Sequence, residues 1–367
     1  MDQLKVFQVA LSLIPGIGNI IAKNLISYCG SAEKIFSASR NKLLNIPGVG
    51  YKIADGIRRQ DSLLQAEIII KKCLRDQIRI IFYTEDQFPY RLKELYDSPV
   101  ILYVKGNGDL NPKRSVGIVG TRQATNYGKS IVDEIVKDLV PHNTTIVSGL
   151  AYGIDYRSHI AAIRNKLQTF GIIGGGHRNL YPAIHKKTAQ EIEKKGFIIS
   201  EYEPAIMPES HFFPERNRII AGLSDVLIVI EAAERGGALI TAEYANNYNR
   251  EVFAVPGDIH SRFSEGCNHL IKKHKANILT SVKDIEYIMN WNTKDNSGNK
   301  RQTDCSDLSL PEKKILEIFQ KNGNEILIDD LSWKTQIPIN LLASHLLNLE
   351  FRGFIKSLPG KKFKCIT

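Results

Sequence analysis

Apolar and polar positions change period several times along the chain. Near the N-terminus one pattern occurs twice: LSLIPGIGNIIAKNLI, ending at Ile26, returns as LLNIPGVGYKIADGI, ending at Ile57. In each copy a helix-period apolar stretch stops at a Pro-Gly turn and a second helical stretch begins at once. From 115 to 281 short β-rich runs alternate with helical ones. The runs are 115–120, 144–149, 169–176, 197–202, 225–232, 251–257 and 277–281. Between the first two, Ile131, Ile135, Val136, Leu139 and Val140 fall at three-to-four spacing. Near-continuous apolar strands joined by helices predict an α/β domain, doubly wound and Rossmann-like, with a parallel sheet covered on both faces. The stretch 88–110 before it reads as a connecting piece ending in an extra edge strand.

Residues 291–307 are polar and aperiodic, which predicts a linker. Three short helical patterns follow, then a hairpin turning at Pro359-Gly360, an order similar to a winged helix. The domain plan is therefore 1–75 helical, 76–290 α/β, 291–307 linker and 308–367 winged helix. With 367 residues the chain has room for several cores without staples or metals.

Charge changes the picture more than composition does. Lysine and arginine number 49 against 39 acids, a net +10, which favours polyanionic partners, nucleic acid foremost. Cys29, Cys73, Cys267, Cys305 and Cys365 are odd in number and form no CxxC pair, so a disulfide framework or zinc knuckle is not signalled and a reducing cytoplasm fits. Gln8 interrupts the apolar N-terminal stretch, which reads as a mature helix rather than an export signal. Eighteen consecutive apolar residues occur nowhere, so no membrane span is expected.

Open α/β sheets hold ligands beyond the carboxyl ends of their strands. Here those ends are rich in glycine: Gly120-Thr121-Arg122, then Gly149 to Gly153, then Gly175 and Gly176, and later Gly236-Gly237 ahead of Thr241. Such ends let a backbone approach a ligand while helix amides point at it, which implies an anion site. The dinucleotide fingerprint GxGxxG is absent, and Gly128-Lys129-Ser130 lacks the first P-loop glycine because position 123 is Gln123. GxSxG and HExxH are missing, and His260, His269 and His274 lack metal-ligand company. What remains is Arg122 and the run Phe213-Pro214-Glu215-Arg216-Asn217-Arg218, whose guanidinium forks match phosphate oxygens. Against this, Arg216 and Arg218 have Glu201, Glu203 and Glu231 as candidate scaffold partners. Asp155 and His159, four apart on one helix, read as a structural hydrogen-bonded pair rather than an acid-base couple.

The repeated Pro-Gly turns resemble a tandem helix-hairpin-helix, a DNA-binding unit without sequence specificity. Gly16, Gly18, Gly48 and Gly50, with Lys23, Lys52, Arg58 and Arg59 nearby, would contact duplex phosphates, or the hairpins serve only packing or protein contacts. The C-terminal wing likewise fits either DNA or a docked protein. The strings GIVGTR, SGLAYGIDYRSH, GGGHRNLYP, SEYEP, HFFPERNRIIAGLSD, ERGGALITAEYA, VFAVPGDI and GCNHLIKKHKANIL resemble, in that order, the DNA-processing protein A family (DprA, also called Smf).

That resemblance implies a bacterial cytoplasmic protein that binds incoming single-stranded DNA in natural transformation, protects it and helps load the RecA recombinase. It also implies a homodimer, no catalysis and no cofactor. Arg122 stands where the family's Gly-Ser-Arg arginine reaches the DNA backbone, with Thr121 keeping the serine hydroxyl. The FPxRN motif maps onto Phe213, Pro214, Arg216 and Asn217, and the Gly-Ile-Asp turn onto Gly153, Ile154 and Asp155. Two departures stand out: His177 and Arg178 replace an apolar residue and an aspartate, and His185 replaces an asparagine. Arg178, Lys186 and Lys187 add positive charge, and bases would stack on Tyr181 or Phe212. Gly120, Gly149, Gly175, Gly176, Arg218, Gly236, Gly237 and Thr241 complete the expected site.

Two rival readings remain. Gly236, Gly237, Thr241 and Glu243 echo the PGGxGTxxE motif of nucleoside-monophosphate phosphoribohydrolases, although Leu239 and Ile240 stand where its second glycine-threonine pair belongs. Alternatively, the arginines are buried, the wing docks a protein, and the chain is an interaction module only.

Overall fold

The computed structural model describes residues 3–291, 308–322, 325–352, 354–358 and 362–365. The linker expected over 291–307 lies, beyond Trp291, outside the described residues, as does the Pro359-Gly360 turn. The chain forms two compact units, Met1–Asn292 and Thr293–Thr367.

In the first unit nine strands make one sheet. They are β1 (Arg79–Phe82), β2 (Ile101–Gly106), β3 (Ser115–Val119), β4 (Thr145–Ser148), β5 (Thr169–Ile172), β6 (Gly196–Ser200), β7 (Val226–Val229), β8 (Glu251–Ala254) and β9 (Asn277–Ile278). Their order is β1-β2-β6-β5-β4-β3-β7-β8-β9. The seven strands from β6 to β9 run parallel, while β2 pairs antiparallel with β6, and β1 with β2. The strand expected at the edge is thus β2, one place inside it. Arg79–Phe82 takes the edge, a four-residue run too short for its period to separate it from the preceding helix.

Both faces of the sheet are covered, and the side chains of β7 show why the strands read as continuously apolar. Val226, Ile228 and Ile230 join the core under helices Asn126–Asp138 and Ile154–Arg164. Leu227 and Val229 join the opposite core, under Phe212–Leu223 and Gly237–Asn247. The buried face of Asn126–Asp138 runs through Val132, Ile135 and Val136 to Leu139, whereas Val140, expected on that face, is 39% exposed in a 3-10 turn after the helix ends. Going along the chain, β4, β5 and β6 are added on one side of β3 and β7, β8 and β9 on the other. The reversal between β3 and β7 opens a crevice at their carboxyl ends.

The N-terminal helices are not a separate body. Val9, Leu25, Leu43 and Ile57 share one continuous core with Ile80, Phe82, Ile101 and Tyr103 of β1 and β2. Both Pro-Gly turns use left-handed glycines, Gly16 at φ 88° and Gly48 at φ 85°, a conformation costly for any residue with a Cβ. Polar contacts fasten the first hairpin further. Asn19 Oδ1 accepts from the Val100 amide and Asn19 Nδ2 donates to Glu201 at 2.8 Å, while Lys23 donates to the Leu95 carbonyl at 3.1 Å.

The second unit has helices Leu310–Asn322, Ile328–Thr335 and Ile339–Phe351 and an antiparallel sheet β10-β12-β11. Its wing strands are β11 (Ile355–Leu358) and β12 (Lys362–Cys365), and the unexpected β10 (Glu325–Leu327) pairs with β12. Ile315, Phe319, Leu331, Leu342, Leu346 and Leu349 fill the core of this winged helix.

One buried ion pair ties the connecting piece to the sheet. Arg91, 3% exposed, meets both oxygens of Asp225 at 2.7 and 2.8 Å, and Asp225 also accepts from the Ser115 amide. Asp225→Ala would strand the guanidinium and should cost about 3–5 kcal/mol, seen as a lower urea midpoint at unchanged slope. A loss below about 1 kcal/mol, the worth of a surface pair, would contradict the assignment.

Candidate functional site

The crevice at the strand reversal is a cleft of about 690 Å³. Three segments wall it: Gly120, Thr121 and Arg122 after β3; Phe213, Arg216 and Asn217 on the helix Phe212–Leu223; and Gly236, Gly237 and Thr241 at the start of the helix Gly237–Asn247. Tyr181, Pro208 and Ser210 close its far side.

Its floor is organised by Arg216, which is 4% exposed. The guanidinium donates through Nη1 to the carbonyls of Gly149 and Ile172, at the ends of β4 and β5. Strand-end carbonyls have no ladder partner, so a buried arginine there satisfies groups that would otherwise be orphaned. Asp155 faces it: a Cβ on Gly149 would lie 2.5 Å from Asp155 Oδ2 and 2.6 Å from both Arg216 Nη atoms. Burial lowers the Arg216 pKa to about 10, partly offset by Asp155, so the group stays cationic at neutral pH. Asp155 is shifted upward by the same burial, with Arg216 opposing. Arg216 is therefore held by strand-end carbonyls with Asp155 as the acid facing it, and of the three acids expected as partners Glu201 goes to Arg218 instead. Asp155 likewise does not pair with His159, whose Nδ1 meets Thr169 Oγ1 at 2.8 Å.

Arg122 is different. It is exposed on the rim, lies 5.5 Å from the centre of the Phe213 ring, and has no acidic partner among the described residues. A guanidinium over an aromatic face is held in place without losing its charge. Across from it Gly236 caps the helix Gly237–Asn247 with no side-chain acceptor, and nothing lies within 4 Å of where a Gly237 Cβ would be. The Leu239 amide is taken by the Gly236 carbonyl at 3.0 Å, which leaves the Gly237 and Ala238 amides of that eleven-residue helix open to an anion. Cation, aromatic ring and bare amides thus share one rim.

The remaining expected residues divide. A Gly120 Cβ would lie 2.6 Å from Ile154, and Gly153, at φ 78°, is crossed by the Thr121 carbonyl. Gly175 and Gly176 do not line the cleft: they are buried against Pro208 and against the backbone of Glu203 and Pro204. At each of these positions a side chain would strike the protein itself. Arg218 does not reach the cleft either. Its Nη2 meets both oxygens of Glu201 and its Nη1 donates to the Asp97 carbonyl at 2.7 Å. Arg178 and Lys186 line a neighbouring groove, and Arg178 is paired with Asp76 at 2.6 Å. Phe212 packs on Tyr202 and His211, leaving Phe213 and Tyr181, 5.6 Å apart, as the rings of the cleft. His185 is buried, stacked on Tyr156 and bonded to the Leu150 carbonyl. Glu231 caps the helix Asn126–Asp138 through Thr125. Glu243, the acid of the hydrolase-like motif, lies outside the cleft and pairs with Lys275 at 3.6 Å.

Sequence reading missed Pro208 and Ser210, which close the far side of the cleft. The available signal was two prolines, Pro204 and Pro208, between a strand end and the next helix. In the N-terminal unit the four glycines also divide. Gly18 and Gly50 both start helices without side-chain caps and have open space at Cβ. The first hairpin, however, is committed to the α/β layer through Asn19 and Lys23, while the second presents exposed Tyr51, Lys52, Arg58 and Arg59.

Residues 79–290 match the profile described as DNA recombination-mediator protein A, residues 7–60 that of a SAM-like helix-hairpin-helix tandem, and residues 302–361 that of the DprA winged helix domain. A DNA processing protein DprA from Bacillus subtilis is 42% identical over 209 residues, covering 57% of this chain and 70% of its own length. A protein Smf from Synechocystis is 30% identical over 391 residues, 98% of each chain. Among solved structures, DprA from Streptococcus pneumoniae superposes with a TM-score of 0.63 at 31% identity, covering 78% of this chain and 98% of that one. DNA processing protein A from Helicobacter pylori, whose structure is described in terms of a single-stranded DNA binding mode, gives 0.52 at 29% identity over 59% and 96%. No helix among the described residues is long and apolar enough to cross a membrane.

Two histidines near the cleft give this unit a pH signature. Burial lowers His159 to about 3 and His177 to about 4 from the ordinary 6.5. The unfolded chain takes up these protons near pH 6.5 and the folded chain does not, so their contribution is complete above 6.5 and is lost as pH falls toward 4. The urea midpoint should drop over that window, and His177→Asn should flatten the drop. An unchanged slope in the variant would contradict it.

Proposed function

Because this chain belongs to the DNA recombination-mediator protein A family, we propose that its switch-point cleft binds single-stranded DNA along the sugar-phosphate backbone. The observation that carries this is Arg122: an exposed guanidinium without an acid, seated over Phe213 and opposite the uncapped helix Gly237–Asn247. The Helicobacter pylori relative, described by its single-stranded DNA binding mode, supports the same ligand class. Phosphates would meet Arg122 and the amides, while a base stacks on Phe213 or Tyr181 without sequence preference. Arg216 contributes field from the floor, and Asn217 a polar edge.

The reading is non-catalytic. Asp155 is the one carboxylate among the residues lining the cleft, and it is buried beside Arg216, whereas cleavage of a glycosidic bond ordinarily uses two carboxyl groups in different roles. The biological setting, receipt and protection of incoming DNA in transformation by a cytoplasmic homodimer that helps load RecA, rests on the family resemblance. Stimulation of strand exchange by the cognate recombinase, and sedimentation of the free protein, test those two parts separately.

Arg122→Ala should weaken binding to every single-stranded sequence by about tenfold or more, as expected for an interaction of about 1.5 kcal/mol. The plot of log affinity against log salt should become shallower by about 0.7 for each phosphate that is no longer neutralised. Filter-binding titrations in which variant and parent coincide at all salt concentrations would overturn the assignment. Arg216→Ala should instead unfold the chain more easily, since it leaves the Gly149 and Ile172 carbonyls without their donor.

A further inference from the structure

A second groove of about 460 Å³ adjoins the cleft and shares Tyr181 and Pro208 with it as a dividing wall. Leu180, Ala189 and Ile198 give it an apolar lining, and Met207 stands 64% exposed along it. Three cations surround that lining, but they are not equivalent. Lys105 is paired with Glu193 at 3.6 Å and Arg178 with Asp76 at 2.6 Å, so both are largely committed to the fold. Lys186 is exposed and has no acidic partner among the described residues.

An apolar lining beside one uncommitted ammonium fits a ligand that is flat and apolar at one end and anionic at the other. A nucleotide is such a ligand. The shared wall decides which nucleotide: Tyr181 borders both spaces, so a strand in the first cleft needs only to pass over that ring to enter the second. Arg178 in turn neutralises Asp76, so that carboxylate does not stand unpaired beside the groove.

We infer that the single strand leaves the first cleft over Tyr181 and seats its next nucleotide in this groove, with the base against Leu180 and Met207 and the phosphate at Lys186. This rests on the reading of the first cleft as the single-strand site. It makes the footprint on this chain longer than the first cleft alone would hold.

The test measures affinity of the full chain for oligothymidylates lengthened one nucleotide at a time, for the parent, Lys186→Ala and Arg122→Ala, with thermal unfolding to confirm that each variant is folded. The parent should gain affinity a second time once the strand is long enough to cross Tyr181. Lys186→Ala should leave the shorter oligonucleotides untouched and lose that second gain, with a salt slope shallower by about 0.7 for the longer ones only. Arg122→Ala should be weaker at every length. If Lys186→Ala equals the parent throughout while Arg122→Ala is impaired, the second groove is not a nucleotide site and the first cleft stands. Equal weakening by Lys186→Ala at all lengths also overturns the inference, because the lysine would then act through the general field. No effect of Arg122→Ala at any length overturns the first cleft itself.

Discussion

Parallel strands end in carbonyls that nothing in the sheet can satisfy, and Arg216 is this protein's answer to that constraint. It spans the ends of β4 and β5 from the helix Phe212–Leu223, with Asp155 facing it across Gly149. Helix and sheet are thereby fixed to each other where the cleft opens. Phe213 and Asn217 ride on the same helix, so their positions in the cleft follow from a buried contact rather than from a loop. Two residues after Arg216, Arg218 holds Glu201 and the Asp97 carbonyl, and Glu201 also receives Asn19 of the first hairpin. One helix therefore connects the cleft floor to the N-terminal helices.

This division of labour explains why a chain with many arginines leaves few for a ligand. A guanidinium that is buried and bonded to its own backbone is scaffold, however well its motif matches a binding signature. Arg122 meets a different standard: it is exposed, it is steadied by a ring rather than by an acid, and it faces open amides. The glycines sort by the same reasoning. Gly153 and Gly176 are small because the backbone passes close to them and Gly149 because Asp155 and Arg216 do, while Gly237 has empty space where a side chain would be.

The strands β3 to β8 were legible because each is a short apolar run bounded by helix-period text, and burial on both faces demands that pattern, while β9, expected over 277–281, is the two-residue edge Asn277–Ile278. β1 and β10 were not, being short runs directly beside helices. The cleft's location followed from the glycine-rich strand ends, since ligand crevices form where strand order reverses. Its membership was less legible. Arg178 and Lys186 were added to Arg122 by charge alone, and sequence gives no view of Asp76 lying beside Arg178, whereas Arg218 came with its run and found its partner in Glu201, one of the three acids named for it. The same blindness hid the docking of the first hairpin, which depends on Asn19 meeting Val100 and Glu201, residues far along the chain.

The most direct measurement is amide hydrogen exchange on the full chain with and without a saturating oligothymidylate. Protection gained on binding should fall at 120–122, 213–217 and 236–241, the three segments that wall the cleft. Protection confined to the helical hairpins at 16–18 and 48–50 or to the wing at 355–365, with those three segments unchanged, would contradict a single-strand site at the strand reversal.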